Sequence, residues 1–205
     1  MAPNPAPGIR LAGFLMNKEN TMNPWRVLVA LSFLLLGGCL VTLREPIPAH
    51  EPAPMPLLGD WTRKDEWGER AYLEISRSGS NLYRARTYEG GKDNLDSLHE
   101  YGFTVAHHGR RWYLSAGLPK QWGANFAVAG FELTADNELV VYNLDVERLR
   151  QEVERGTFKG AAVEMPEGDG VLLDVPWATL QAWLDDPANS DVFIEAARYQ
   201  RAGAE

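Results

Sequence analysis

The chain has 205 residues, with 20 Lys and Arg against 28 Asp and Glu, for a formal charge of −8. That length fits one domain of ordinary size plus a leader, and 45% apolar residues with 10% aromatics can bury a core, which excludes a wholly disordered chain. The acidic balance argues against a phosphate-backbone binder, so no nucleic-acid partner is expected, and a single cysteine excludes an internal disulfide or a multi-cysteine metal site.

The one long apolar run, Val27 to Val41, follows Arg26 directly. Its core, Val27 to Leu36, has the length of a signal-peptide hydrophobic region and falls short of the ~20 apolar residues a spanning helix needs. The run leads into Leu36-Gly37-Gly38-Cys39, which resembles the lipobox of bacterial lipoproteins. The resemblance implies that the Cys39 thiol takes up diacylglycerol, that the chain is cut before Cys39, and that the new amino group is acylated. Residues 1–38 are then a leader. Translation begins at Met1 or at Met22, since Met22 to Arg26 is a sufficient basic start. A buried helix or single-pass anchor with an incidental cysteine is the competing reading. The leader is net basic, so the mature chain is more acidic than the precursor, and its partner membrane is held by acyl chains and not by charge. In enteric-type bacteria Asp after the cysteine signals inner-membrane retention. Leu40 stands there, which implies a location on the outer membrane, facing the periplasm.

Prolines at 46, 48, 52, 54 and 56 make residues 39–56 read as an extended tether, in which His50 is solvated. A single β-rich domain, 57–205, follows. Gly59 to Thr62 opens a first strand. Ala71 to Ser76 alternates cleanly and turns at Ser78 to Asn81 into Leu82 to Thr87, which is a hairpin pattern. Further strands are expected around Tyr101 to Val105, Arg111 to Ser115, Phe126 to Leu133 and Leu139 to Leu144, with turns at Gly109 and Asp136-Asn137. The period then changes: Val146, Leu149 and Val153 make a helical stripe between an Asp145 cap and Gly156. Gly170 to Asp174 reads as an eighth strand. Asp174 reads as the cap of a second helix carrying Trp177, Leu180 and Leu184 and ended by Pro187. Val192 to Arg201 fits a short closing strand better than a helix. The fold class is mainly β: an antiparallel meander closing into a small barrel or sandwich, with two short helices in the C-terminal third.

Gly59-x-Trp61 at the start of the first strand resembles the G-x-W signature of lipocalins and related calycin barrels. That resemblance implies an eight-stranded up-and-down barrel with Trp61 plugging its closed end and a late arginine, Arg198 or Arg201, packed across the ring. The helix after Leu144 departs from the family, which joins those strands by a short loop. Another barrel or sandwich remains the alternative.

Side chains that could carry chemistry are few. Trp61, Trp112 and Trp177 sit at core-facing positions. Trp67 and Trp122 fall in loops, where they line the mouth of an apolar cavity, form a partner patch, or fold back as plugs. Arg84, Arg86 and Glu132 either point into the lumen and hold a polar head group, or face outward against neighbours of opposite charge. His107 and His108 are adjacent on a strand and so point to opposite faces, which argues against a metal site. No Gly-x-Ser-x-Gly elbow or phosphate cradle is present, and no cofactor or enzymatic activity is expected. Two functions remain: an envelope lipoprotein whose barrel binds a small apolar or amphipathic ligand, or an adaptor that docks another envelope protein through a sheet face or the aromatic loops.

Overall fold

A computed structural model describes residues 40–64, 68, 70–91, 94–120, 123–165 and 168–203. The leader, Cys39, Trp67 and Trp122 lie outside the described residues. Eleven strands are hydrogen-bonded into one sheet: β1 (Leu40–Leu43), β2 (Gly59–Lys64), β3 (Arg70–Gly79), β4 (Leu82–Glu89), β5 (His99–His108), β6 (Arg111–Gly117), β7 (Phe126–Leu133), β8 (Glu138–Leu144), β9 (Gly160–Met165), β10 (Gly168–Leu173) and β11 (Phe193–Arg201). Two α-helices, α1 (Val146–Glu154) and α2 (Trp177–Leu184), lie in the C-terminal third.

Strands β2 to β8 pair antiparallel in chain order, β8 pairs with β11, and β11 returns to β2. The result is a closed eight-stranded antiparallel barrel. The tight turns are set by residues that tolerate a left-handed backbone: Asn81 (φ 54°), Gly109 (φ 58°) and Asn137 (φ 58°). Alternation then sends Leu73, Ile75, Tyr83, Ala85, Phe103, Ala129, Phe131, Val141 and Tyr199 into one interior core.

The eighth barrel strand is β11, not Gly170 to Asp174 as the sequence suggests. Residues 168–173 form β10, which belongs to a side wing. There β10 pairs antiparallel with β9 and parallel with β1, and β1 pairs with β7 at Thr42↔Ala127 and Leu43↔Phe126. β8 meets β7 only from Ala129 onward. Its early departure frees the edge of β7 that β1 occupies.

The wing and both helices build a second core on the outer face of the barrel. Val41, Leu43, Leu149, Phe158, Val171, Leu173, Leu180 and Leu184 pack there against Ala106, Tyr113, Val128 and Leu144. Asp145 caps α1 by accepting the Arg148 N–H at 3.0 Å, as its sequence predicts. Asp174 does not cap α2, whose N-cap is Pro176, and pairs instead with Arg44 at 3.0 Å.

The proline-rich segment is not a tether. After β1 it runs as a strap over the outer face of β5 and β6, and Ile47 in it is fully buried. Two buried hydroxyls clamp the strap. Ile47 N–H donates to Ser115 Oγ at 2.8 Å, and Thr104 Oγ1 donates to the Ile47 carbonyl at 2.6 Å. Farther along, Ala53 N–H donates to Tyr83 Oη at 2.7 Å, and a one-turn helix at Met55–Leu57 brings the buried Leu57 into the interior core. Prolines cannot donate to a ladder, but the apolar residues between them still gain by burial, and side-chain hydroxyls supply the polar partners that a neighbouring strand would provide.

Candidate functional site

The lower end of the barrel is closed by a three-part arrangement. Trp61 is 1% exposed, and its Nε1–H donates to the Leu57 carbonyl at 2.9 Å. The Arg201 guanidinium lies 3.9 Å from the centre of the Trp61 ring, a cation–π contact across directly paired residues of β2 and β11. Arg201 also donates to the carbonyls of Leu58 (2.8 Å) and Pro56. Gly59 is required beside it: its φ is +115°, and a Cβ there would meet Arg201 Nη1 at 2.9 Å. The other late arginine, Arg198, is on the outer face, bridged to Glu138 and Glu195.

One layer up, Arg63 and Tyr199 are inward-facing neighbours, with the Arg63 guanidinium 5.6 Å from the ring centre and hydrogen-bonded to the phenol. Burial pushes the Tyr199 hydroxyl up to about 12, against a smaller opposing effect of Arg63. Beside it the lumen bounded by the described residues is largely apolar and well packed. A cavity of about 40 Å3 remains, lined by residues that include Leu73, Ile75, Ala85, Phe103, Leu114 and Val141. That is room for roughly three waters at ~10–15 Å3 each, in a lining whose one polar residue is Tyr101. Ligand sites of ordinary size need about 300–1,000 Å3.

None of the polar residues considered for the lumen reaches it. Arg84 and Arg86 alternate with the inward Tyr83 and Ala85, so both face outward. There Glu100 takes one from each oxygen: Arg84 Nε at 3.1 Å and Arg86 Nε at 2.9 Å. Glu132 alternates with Phe131, also faces outward, and pairs with Arg111 at 3.3 Å. Arg111 in turn lies 3.8 Å over the Phe193 ring, fastening the start of β11 to β6. Head-group binding inside the barrel by these three residues is therefore ruled out by strand parity.

Parity also separates the histidines. His107 points inward and lies 4.5 Å from the Trp112 ring, whereas His108 points outward and pairs with Asp185 at 3.1 Å. Asp185 also accepts from Tyr113 Oη at 3.0 Å, so this cluster ties the end of α2 to the barrel. Among the described residues no group of three or more His, Cys, Asp or Glu is arranged to hold a metal ion, and no helix is long and apolar enough to cross a membrane.

The outer face of β2, β3 and β4 is the feature that sequence reasoning missed. No residue of these strands joins the second core, which covers β5 to β8. Among the described residues that face presents the half-exposed Thr62, Tyr72, Glu74, Ser76, Arg84 and Arg86, with Tyr72 directly opposite the buried Tyr88. The alternation of each strand was readable in advance, but which outer faces would be covered depends on the wing. The strand ends that flank Trp67 (Lys64 and Arg70) and Trp122 (Gly117 and Phe126) lie at the rim opposite Trp61. Comparison with protein-family models, curated proteins and solved structures finds no match for the chain.

Proposed function

We propose that the protein is a bacterial envelope lipoprotein, acylated on Cys39 and held on the outer membrane facing the periplasm, whose barrel is a solid scaffold that docks another envelope protein through the outer face of β2–β4. The observation that carries the scaffold reading is the filled lumen: about 40 Å3 of free space cannot take a lipid or other amphipathic ligand. The outer face of β2–β4 offers one half-exposed tyrosine, Tyr72, beside two arginines held in place by Glu100, a composition that suits a docking surface. Kinship with the calycin barrels belongs to the same reading and is supported by the packing of Gly59, Trp61 and Arg201.

The test is site-specific photo-crosslinking in the native host. A photoreactive residue at Glu74 should give a discrete protein adduct that Arg84→Glu with Arg86→Glu abolishes, while one at Glu147 on α1 should give none. Stoichiometric binding of N-phenyl-1-naphthylamine to the lipid-free protein, with no adduct from position 74, would instead favour the ligand-carrier reading. That second reading draws on the largely apolar cavity lining and requires the barrel to widen.

A further inference from the structure

The position of β1 bears directly on how the body sits on a membrane. β1 starts at Leu40, which is 5% exposed and in register with Gly170. Gly170 in turn sits opposite Val163 on the outermost strand, β9. Leu40, Gly170 and Val163 thus form a row across three strands, each step about 4.8 Å. Cys39 is bonded to Leu40, and a peptide unit separates their Cα atoms by about 3.8 Å. Not one free residue intervenes between the lipobox cysteine and a buried strand.

We infer that the acylated protein has no spacer: the β1–β10–β9 wing is seated on the bilayer surface and the β2–β4 face is turned away from it. This rests on the lipoprotein reading above and adds an orientation to it. β7, which carries the wing, is four strands from β3 by either route around the ring, so the two lie on opposite sides of the barrel. The wing is suited to the position. β9 exposes Ala161 and Ala162 and carries one charge, Glu164, while Asp169 on β10 is engaged by Arg150 at 3.3 Å. Seating by this surface therefore comes from the acyl chains and needs no anionic lipid.

The experiment uses the full-length protein, processed in a lipoprotein-competent host and placed in phosphatidylcholine vesicles containing a nitroxide-headgroup lipid. Cys39 is the sole cysteine, so once acylated it leaves Glu164→Cys or Ser76→Cys as the single free thiol for a fluorophore. The probe at 164 should be quenched and the probe at 76 should not. A twenty-residue Gly-Ser insertion between Cys39 and Leu40 should remove the quenching at 164. Equal quenching at both positions, quenching at neither, or quenching at 164 that survives the insertion overturns the seated orientation. Absence of the acyl mass on Cys39, with the dye found there instead, overturns the lipoprotein reading and the orientation with it.

Discussion

Trp61 is gripped by three neighbours: Leu57 through its ring nitrogen, Arg201 through its face, and the interior core around its edges. Trp61→Ala should cost ~3–5 kcal/mol, the range for truncating a large aromatic in a core, as read from urea midpoints. Gly59→Ala should also be damaging, because the methyl group meets both a positive φ and the guanidinium, whereas Gly102→Ala has open space and an ordinary backbone and should be mild. Tyr199 adds a pH signature. Its folded-state value of about 12 lies above the ~10 of an unfolded tyrosine, so between those values the unfolded chain releases a proton that the folded one keeps. Stability from this residue is complete below about pH 10 and is lost as pH rises toward 12. Tyr199→Phe should begin less stable at neutral pH, having lost the Arg63 hydrogen bond, yet show a flatter decline through that alkaline window.

Elements were legible where a single period governed them. The β3–β4 hairpin alternates without interruption, and α1 shows both its stripe and its Asp145 cap. The strap was illegible because its prolines dominate the local pattern, while what decides its position is nonlocal: a slot on β5 and β6 holding Thr104 and Ser115, whose hydroxyls have no meaning until the strands pair. Ile47→Ala should therefore cost ~2–5 kcal/mol despite lying between two prolines, and differential scanning calorimetry would register it. β9 escaped notice for another reason. Gly160-Ala-Ala-Val-Glu-Met165 has small side chains and weak alternation, so only its partner β10 identifies it as a strand. Arg84, Arg86 and Glu132 stand out in the sequence as charges on strands and so as candidate ligand-binding residues, but their outward direction follows from parity against Tyr83, Ala85 and Phe131. That parity was available in the sequence once closure was assumed.

At the scale of the molecule, two cores share one wall. The strands β5 to β8 are buried on the inside by the barrel and on the outside by the wing, strap and helices, so damage on either side is felt on the other. A protein beginning at Leu57 loses Val41, Leu43 and Ile47 together and exposes the outer faces of Val128 and Tyr113. It should lose cooperative unfolding and bind a dye for exposed apolar surface, whereas one beginning at Leu40 should unfold in a single transition. Closure is equally local: β11 meets β2 only at Gln200↔Thr62 and Arg201↔Trp61. Deleting residues from Ala196 onward should therefore open the barrel and shift tryptophan emission to the red.

The pairing of β1 with β10 also sets an order of events during synthesis. Thr42 donates to the Val171 carbonyl across 129 residues, so even after β1 meets β7 its other edge must wait for β10. Barrel closure waits longer still, for Arg201. Contacts of such sequence separation form late and slowly, because the intervening chain must first be ordered. The hairpins of β2 to β8 can pair in chain order as they appear, whereas the barrel and the wing are complete only once β10 and β11 have joined. Both seams are thus late events, laid down on a meander whose neighbouring strands already hold one another.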